Sequence, residues 1–217
     1  INIKKDNSLV LDPASTKGSI LLELRKSLKL FEIPKVLLFD VISISNNSND
    51  VCKRINDFFN GEKIVVRSSA KDEDGNLASS AGKYHSELNV SSADEDSVLN
   101  ALRKVIASYS KSGSSNLNHQ VIIQEMVTET IMSGVLFTHE LSTGAPYYVI
   151  NYDDVTGSTD SVTSGIGEYS NRTLYIRRDE KGSIRSQRFQ HLLTAVKELE
   201  YILNSEHIDI EFAMNDK

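Results

Sequence analysis

Tryptophan is absent from this 217-residue chain, cysteine occurs once, at Cys52, and proline only three times. A single cysteine cannot close an internal disulfide, so the fold must rest on a packed core, which a chain of this length can build. The lack of Trp and an aromatic content of 7% leave little material for platforms that stack bases or sugars. No stretch approaches the roughly 18 apolar residues of a membrane span. The nearest, Val36–Ile42, is strand-length and interrupted by Asp40. Positive charge is also scarce: 24 Lys and Arg stand against 30 Asp and Glu, for a net charge of −6. Non-specific nucleic-acid binding needs clustered cations, so this balance argues against it. Ile1–Asp6 is polar and basic rather than the apolar centre of a secretory signal. The expected compartment is the cytoplasm, with neither membrane nor nucleic acid as partner.

The hydrophobic pattern divides the chain. Thr16 is placed to cap a helix with Ile20, Leu21, Leu24 and Leu28 at helical spacing. A second helix begins at Asn49 or Asp50, carries Val51, Ile55, Phe58 and Phe59 on one face, and stops before Gly61. Ser92 with Glu95 reads as a capping box for a third, running through Val98, Leu102 and Val105 to about Ala107. Lys63–Arg67 and Glu87–Val90 are strand-like. Further strands fall at His119–Val127, Gly134–Thr138, Tyr147–Tyr152, Arg172–Arg178 and His207–Met214, with a long helix over Ser186–Leu203. The polar stretch Ser108–Asn118 suggests a link between lobes. The expected organisation is an α+β, two-lobed protein with mixed or antiparallel sheets: residues 1–110, a linker at 111–118, and residues 119–217. A cleft between lobes is the natural place for a ligand.

Four segments could carry chemistry. The strand ending in Arg67-Ser68-Ser69 brings a guanidinium and two hydroxyls to one point, a set suited to phosphate oxygens. Twelve residues on, the small loop Ser79-Ser80-Ala81-Gly82 would let backbone approach a polyphosphate. An ordinary hairpin, with Arg67 paired to Asp72, Glu73 or Asp74, explains the same residues. Lys17, in Thr16-Lys17-Gly18, sits at a helix start, where backbone N–H groups favour an anion; taken alone, a solvated lysine that precedes a helix is the readier explanation. Asp209 and Glu211, two apart in a strand, point to one face and would attract Mg²⁺, or else form an acidic edge. Val121–Val127 could offer backbone groups to a purine, or be a core strand. His85, His119, His139, His191 and His207 show no metal-ligand spacing, and no Walker A, G-x-G-x-x-G or G-x-S-x-G pattern occurs.

In this order the segments resemble the nucleotide-binding domain of the phosphoenolpyruvate synthase and pyruvate phosphate dikinase family, whose fold is the ATP-grasp. The V-R-S-S-A…S-x-A-G block is similar to Val66–Gly82, and V-x-Q-x-M-V with S-G-V-x-F-T to Val121–Val127 and Ser133–Thr138. D-I-E-F is similar to Asp209–Phe212. The resemblance implies an ATP-dependent phosphotransferase domain. Lys17 and Arg67 would bind ATP phosphates, and Ser79, Ser80, Ala81 and Gly82 would close over them. Gln124, Glu125, Met126 and Val127 would hold adenine, and Asp209 and Glu211 would serve Mg²⁺. The family passes a pyrophosphoryl group to a histidine on a separate phosphocarrier domain, releasing AMP, and that histidine serves a small-molecule acceptor.

Two departures qualify the resemblance. A phosphate-side glutamate expected after S-G-V-L-F-T has only Asp153, Asp154 and Glu168 as candidates. The family's next strand, with a glutamine and an arginine, would lie beyond Lys217, so an incomplete domain lacking its acceptor histidine is expected. The wording of Asp153–Gly165 is similar to a branch that includes an L-glutamine kinase of capsule phosphoramidate synthesis, which favours glutamine amide over pyruvate as acceptor. A non-catalytic nucleotide-binding module remains the alternative.

Overall fold

The computed structural model describes residues 15–70, 85–111, 119–159, 162, 172–179 and 184–216. The chain adopts the expected α+β class and divides into two compact units. The first comprises the described parts of 15–27 and 32–126. The second comprises 28–31 and the described parts of 127–216.

In the first unit, α1 (Lys17–Leu24) precedes β1 (Val36–Asp40), α2 (Val41–Asn46) and α3 (Ser48–Phe59). Then come β2 (Lys63–Ser69), β3 (Ser86–Ser91), α4 (Glu95–Lys111) and β4 (Gln120–Glu125). The strands form one antiparallel sheet in the order β1-β4-β2-β3. Alternation along β2 and β4 sends Ile64, Val66, Val121 and Ile123 to the face covered by α3 and α4. Ile55 and Phe59 of α3 and Val98 and Val105 of α4 are fully buried against them. Each such side chain stabilises the fold by about 1.5–3 kcal/mol. The other face of the sheet receives α1: Gly18 lies against Leu38 of β1 and Ile122 of β4.

Several local expectations change here. The first helix stops at Leu24, and Leu28 lies with the second unit, where Glu198 accepts hydrogen bonds from the backbone N–H groups of Lys29 (3.0 Å) and Leu30 (2.8 Å). The third helix is capped by Asp94, whose carboxylate accepts from Ser97 N (3.3 Å) and Ser97 Oγ (2.6 Å); the hydroxyl of Ser92 is buried without a partner. That helix continues to Lys111, into the stretch read as a linker. Because β4 pairs with both β1 and β2, residues 119–126 belong to the first unit, and the division falls between Met126 and Val127 rather than at 111–118. The apolar run after Lys35 bends at Asp40 into the short helix α2.

The second unit contains β5 (Thr130–Phe137), β6 (Tyr147–Asp153), β7 (Arg172–Arg177), α5 (Gln187–Leu203) and β8 (Asp209–Asn215). Its antiparallel sheet has the order β7-β6-β5-β8. Phe189, Leu192, Leu193 and Val196 of α5 pack on Met132, Leu136, Tyr148, Ile150 and Phe212. Asn204, in the left-handed region at φ 47°, ends the helix. Among the described residues no helix is long and apolar enough to cross a membrane.

Candidate functional site

Lys17 opens α1 and Arg67 lies near the end of β2, and the structure explains why these distant segments meet. Thr16 caps α1: its Oγ1 accepts from Ser19 N at 3.3 Å while Ser19 Oγ accepts from Thr16 N at 2.8 Å. The same Thr16 hydroxyl reaches Gln120 Oε1 at 2.7 Å, and Gln120 Nε2 donates to Asp40 Oδ1 at 3.0 Å. Gly18 N donates to the buried Ser69 Oγ at 3.0 Å, which pins the first turn of the helix to the last residue of β2. Arg67 and Ser69 are two apart in one strand, so they share a face, and it is the face that α1 covers. Lys17 and Arg67 therefore belong to one side of one sheet. The absence of a side chain at Gly18 lets the helix start sit this close, since a Cβ there would lie 2.3 Å from Leu38 Cδ1 and 3.1 Å from Ile122 Cγ1 and would push those side chains aside.

One expectation is corrected at this point. The N–H groups of Gly18 and Ser19 already donate to Ser69 and Thr16, so they do not form an open anion cradle. The loop Ser79, Ser80, Ala81 and Gly82 lies outside the described residues.

The segment Gln124–Val127 straddles the division between units. Gln124 stands opposite Val36 and Val65, on the face that carries Arg67. Glu125 N donates to Lys35 O and Met126 N to Lys63 O, both at 2.9 Å. The Glu125 carboxylate accepts from Lys35 N at 3.2 Å and lies 3.8 Å from Lys35 Nζ, which also pairs with Glu62 at 2.9 Å. The hydrogen bond to Glu62 raises the Lys35 amine above its ordinary pKa, and the same bond holds Glu62 below the usual carboxylate range. Glu125 thus braces the strand end against the segment entering β1, and its side chain is committed to that task.

In the second unit Asp209 and Glu211 lie opposite Phe137 and Val135 of β5. Both are exposed, while Ile210 and Phe212 join the core, so the expected same-face carboxylate pair is present in this strand. Among the described residues no group of three or more His, Cys, Asp and Glu side chains forms a metal cage. Two carboxylates still suit Mg²⁺, which commonly takes one or two from protein and the remainder from water and phosphate. The Asp209 strand is anchored at its start by Thr138, the last residue of S-G-V-L-F-T. Thr138 Oγ1 accepts from Ile208 N at 2.8 Å and donates to Glu206 O at 2.6 Å.

The candidates for a phosphate-side acid have other work. Asp153 is buried, and its carboxylate accepts from Val155 N (2.8 Å), Thr156 N (3.0 Å) and the Thr156 hydroxyl, closing the turn after β6. Asp154 pairs with Arg172 and, at 3.3 Å, with Arg188. Glu168 lies outside the described residues. The Ser69 hydroxyl, offered above to phosphate, is instead buried and accepts from Gly18 N, while sequence reasoning passed over Gln120, which accepts from the Thr16 hydroxyl, and Tyr109, whose hydroxyl accepts from Ser69 N. The signal for Tyr109 was present, since it extends the helical series Val98, Leu102, Val105.

Comparison with known proteins places these elements. The family described as "Pyruvate phosphate dikinase, AMP/ATP-binding domain" matches residues 22–166, more than half of the chain. That span includes Arg67, the Ser79–Gly82 loop, Gln124–Val127 and Thr138, and leaves Lys17, Asp209 and Glu211 outside. The prodigiosin synthesizing transferase PigC of Serratia marcescens is 28% identical over 208 residues, covering 76% of this chain. The chain spans only 22% of that relative's length. Among solved structures, D-alanyl-alanine synthetase A of Vibrio cholerae aligns at 13% identity and a TM-score of 0.42, covering 91% of this chain and 50% of its own. The dinucleotide-forming acetyl-coenzyme A synthetase 1 of Ca. Korarchaeum cryptofilum aligns at 13% identity and a TM-score of 0.30, covering 67% of this chain and 69% of its own. With a family match across most of the first unit and into the second, the chain belongs to the pyruvate phosphate dikinase AMP/ATP-binding domain family.

Proposed function

We propose that this chain is the ATP-binding catalytic part of a phosphoenolpyruvate-synthase-like phosphotransferase. Lys17 and Arg67 bind the phosphates, the 79–82 loop covers them, and Gln124–Val127 holds the adenine through backbone groups other than the Glu125 and Met126 N–H, which Lys35 O and Lys63 O already take. Asp209 and Glu211 would hold Mg²⁺, which would supply charge neutralisation at the phosphates. The chain contributes cations and positioning rather than a nucleophile of its own. The pyrophosphoryl group passes to a histidine on a separate phosphocarrier domain, AMP leaves, and the histidine then serves a small acceptor in the cytoplasm. L-Glutamine amide is preferred over pyruvate, on the wording of Asp153–Gly165.

The observation that carries this reading is the Gly18–Ser69 hydrogen bond, which sets Lys17 and Arg67 on one side of one sheet. The test is calorimetric titration with ATP·Mg²⁺. Arg67→Ala is expected to weaken binding by about tenfold or more, the loss of a charge-assisted hydrogen-bonded contact. Equal affinity in wild type and variant overturns the reading.

A second reading, a nucleotide-binding module without turnover, is favoured by the commitment of Asp153 and Asp154 to structural partners. AMP release decides between them. Catalysis requires AMP to appear when a histidine-bearing domain is supplied, whereas a binding module releases none.

A further inference from the structure

The cation pair rests on a side chain that no phosphate contact explains. Tyr109, near the end of α4, is 4% exposed and belongs to the core on the α4 side of the sheet. Its hydroxyl lies at the end of the β2–β4 ladder, where Ser69 stands opposite Gln120. There it accepts from Ser69 N at 3.0 Å and donates to the carbonyl of Gln120. One oxygen thus bridges two opposed strand ends. The ring is held in turn by the buried His119, with centroids 4.6 Å apart.

Beyond those strand ends lie the residues of interest. Ser69, fully buried, takes the Gly18 N–H with its own hydroxyl, and Gln120 takes the Thr16 hydroxyl. Arg67 precedes Ser69 by two residues and Lys17 adjoins both Thr16 and Gly18. A buried tyrosine needs only some partner for its hydroxyl. This one spends both hydrogen-bonding capacities on the two backbones that carry the α1 anchor. We propose that Tyr109 is a positioning residue for the phosphate-binding pair: it fixes the end of β2, hence Arg67, and through Ser69 the first turn of α1, hence Lys17. The inference rests on the phosphate role assigned above to Lys17 and Arg67.

Tyr109→Phe keeps the ring and its packing and removes only the bridging oxygen, leaving Ser69 N and Gln120 O to separate. The same chain is titrated with ATP·Mg²⁺ by calorimetry and with adenosine by NMR, since adenosine lacks the phosphates that the pair would hold. Tyr109→Phe is expected to weaken ATP about fivefold, the equivalent of one net hydrogen bond, and to leave adenosine unchanged. Ser69→Ala, which removes the acceptor for Gly18 N and retains Tyr109, is expected to show the same phosphate-selective loss. Should Tyr109→Phe fail to fold, Ser69→Ala still tests the step from Ser69 to α1, and unchanged ATP affinity there overturns the Lys17 half of the proposal. Equal weakening of both ligands would mark Tyr109 as packing alone and overturn the proposal, as would unchanged ATP affinity. Arg67→Ala separates the two layers of the argument. If it weakens ATP while Tyr109→Phe and Ser69→Ala do not, only the positioning role falls; if it leaves ATP affinity unchanged, the phosphate reading falls and the positioning role with it.

Discussion

The two units are built on the same plan, a four-stranded antiparallel sheet with helices, yet they use their faces differently. In the first, both faces carry helices: α3 and α4 on one side, α1 on the other, tied at its first turn through Ser69 and Gln120. In the second, α5 covers one face, and the opposite face bears Asp209, Glu211 and Thr173, all exposed, with Asn151 half-buried between strands. Residues with cationic chemistry are therefore set by contacts between elements, while the acidic pair is set by strand alternation alone. A cation on a helix needs its helix docked. Two carboxylates at i and i+2 need only an extended backbone.

The glycines sharpen the contrast. A Cβ on Gly134 would lie 2.0 Å from Asn151 O and 2.9 Å from Tyr152 Cα, so β5 and β6 would have to separate. Gly134→Ala is expected to have the largest effect, a loss of about 3 kcal/mol or more, since backbone cannot rotate out of the way. A Cβ on Gly18 meets the ends of Leu38 and Ile122 instead, and a side chain can change rotamer. Gly18→Ala should cost about 1–2 kcal/mol, partly offset by the better helix propensity of alanine, and should weaken ATP by shifting Lys17. Urea midpoints of the two variants give the order directly. If Gly18→Ala proves the more damaging, the distinction between a sheet sealed by backbone and one sealed by a docked helix is wrong.

The same distinction accounts for what could be read in the sequence. Period-2 alternation set Asp209 and Glu211 on one face and Ile210 and Phe212 in the core, because a strand enforces that geometry whatever surrounds it. The cap at Thr16 and the apolar series of α3 and α5 were equally legible, being local. The boundary between units was not. Polar residues after Ser108 suggested a linker, but the buried face of α4 runs on to Tyr109, and β4 finds its partners in β1 and β2, far upstream. Strand pairing is a long-range choice, and composition near Ser108 carries no information about it. Ser92 misled for a related reason: Asp94 competes for the same helix start, and its carboxylate takes both the N–H and the hydroxyl of Ser97. The bracing role of the Glu125 side chain could not be read until Lys35 was seen beside it.

An effect confined to alkaline pH lies in the second unit, where a largely buried polar cluster joins α5 to the sheet. Tyr148 Oη donates to Glu200 Oε2 at 3.1 Å; Arg178 pairs with the same carboxylate, sits 4.8 Å above the Tyr148 ring and donates to Thr138 O at 3.2 Å. Burial, and then the charge of Glu200, push the Tyr148 phenol up to about 12. A group whose proton is held more tightly in the folded state contributes stability that is complete below its unfolded pKa, about 10 for tyrosine, and is lost as pH rises through the folded value. Between about pH 10 and 12 the wild-type urea midpoint should therefore fall more steeply than that of Tyr148→Phe, which has no proton to lose there. Parallel curves would mean that the phenol ionises alike in both states and that the cluster is held by Arg178 and Glu200 alone. Converging curves would show that the folded state holds the phenol proton, buried beside the Glu200 carboxylate that Arg178 links to Thr138 at the start of the strand carrying Asp209 and Glu211.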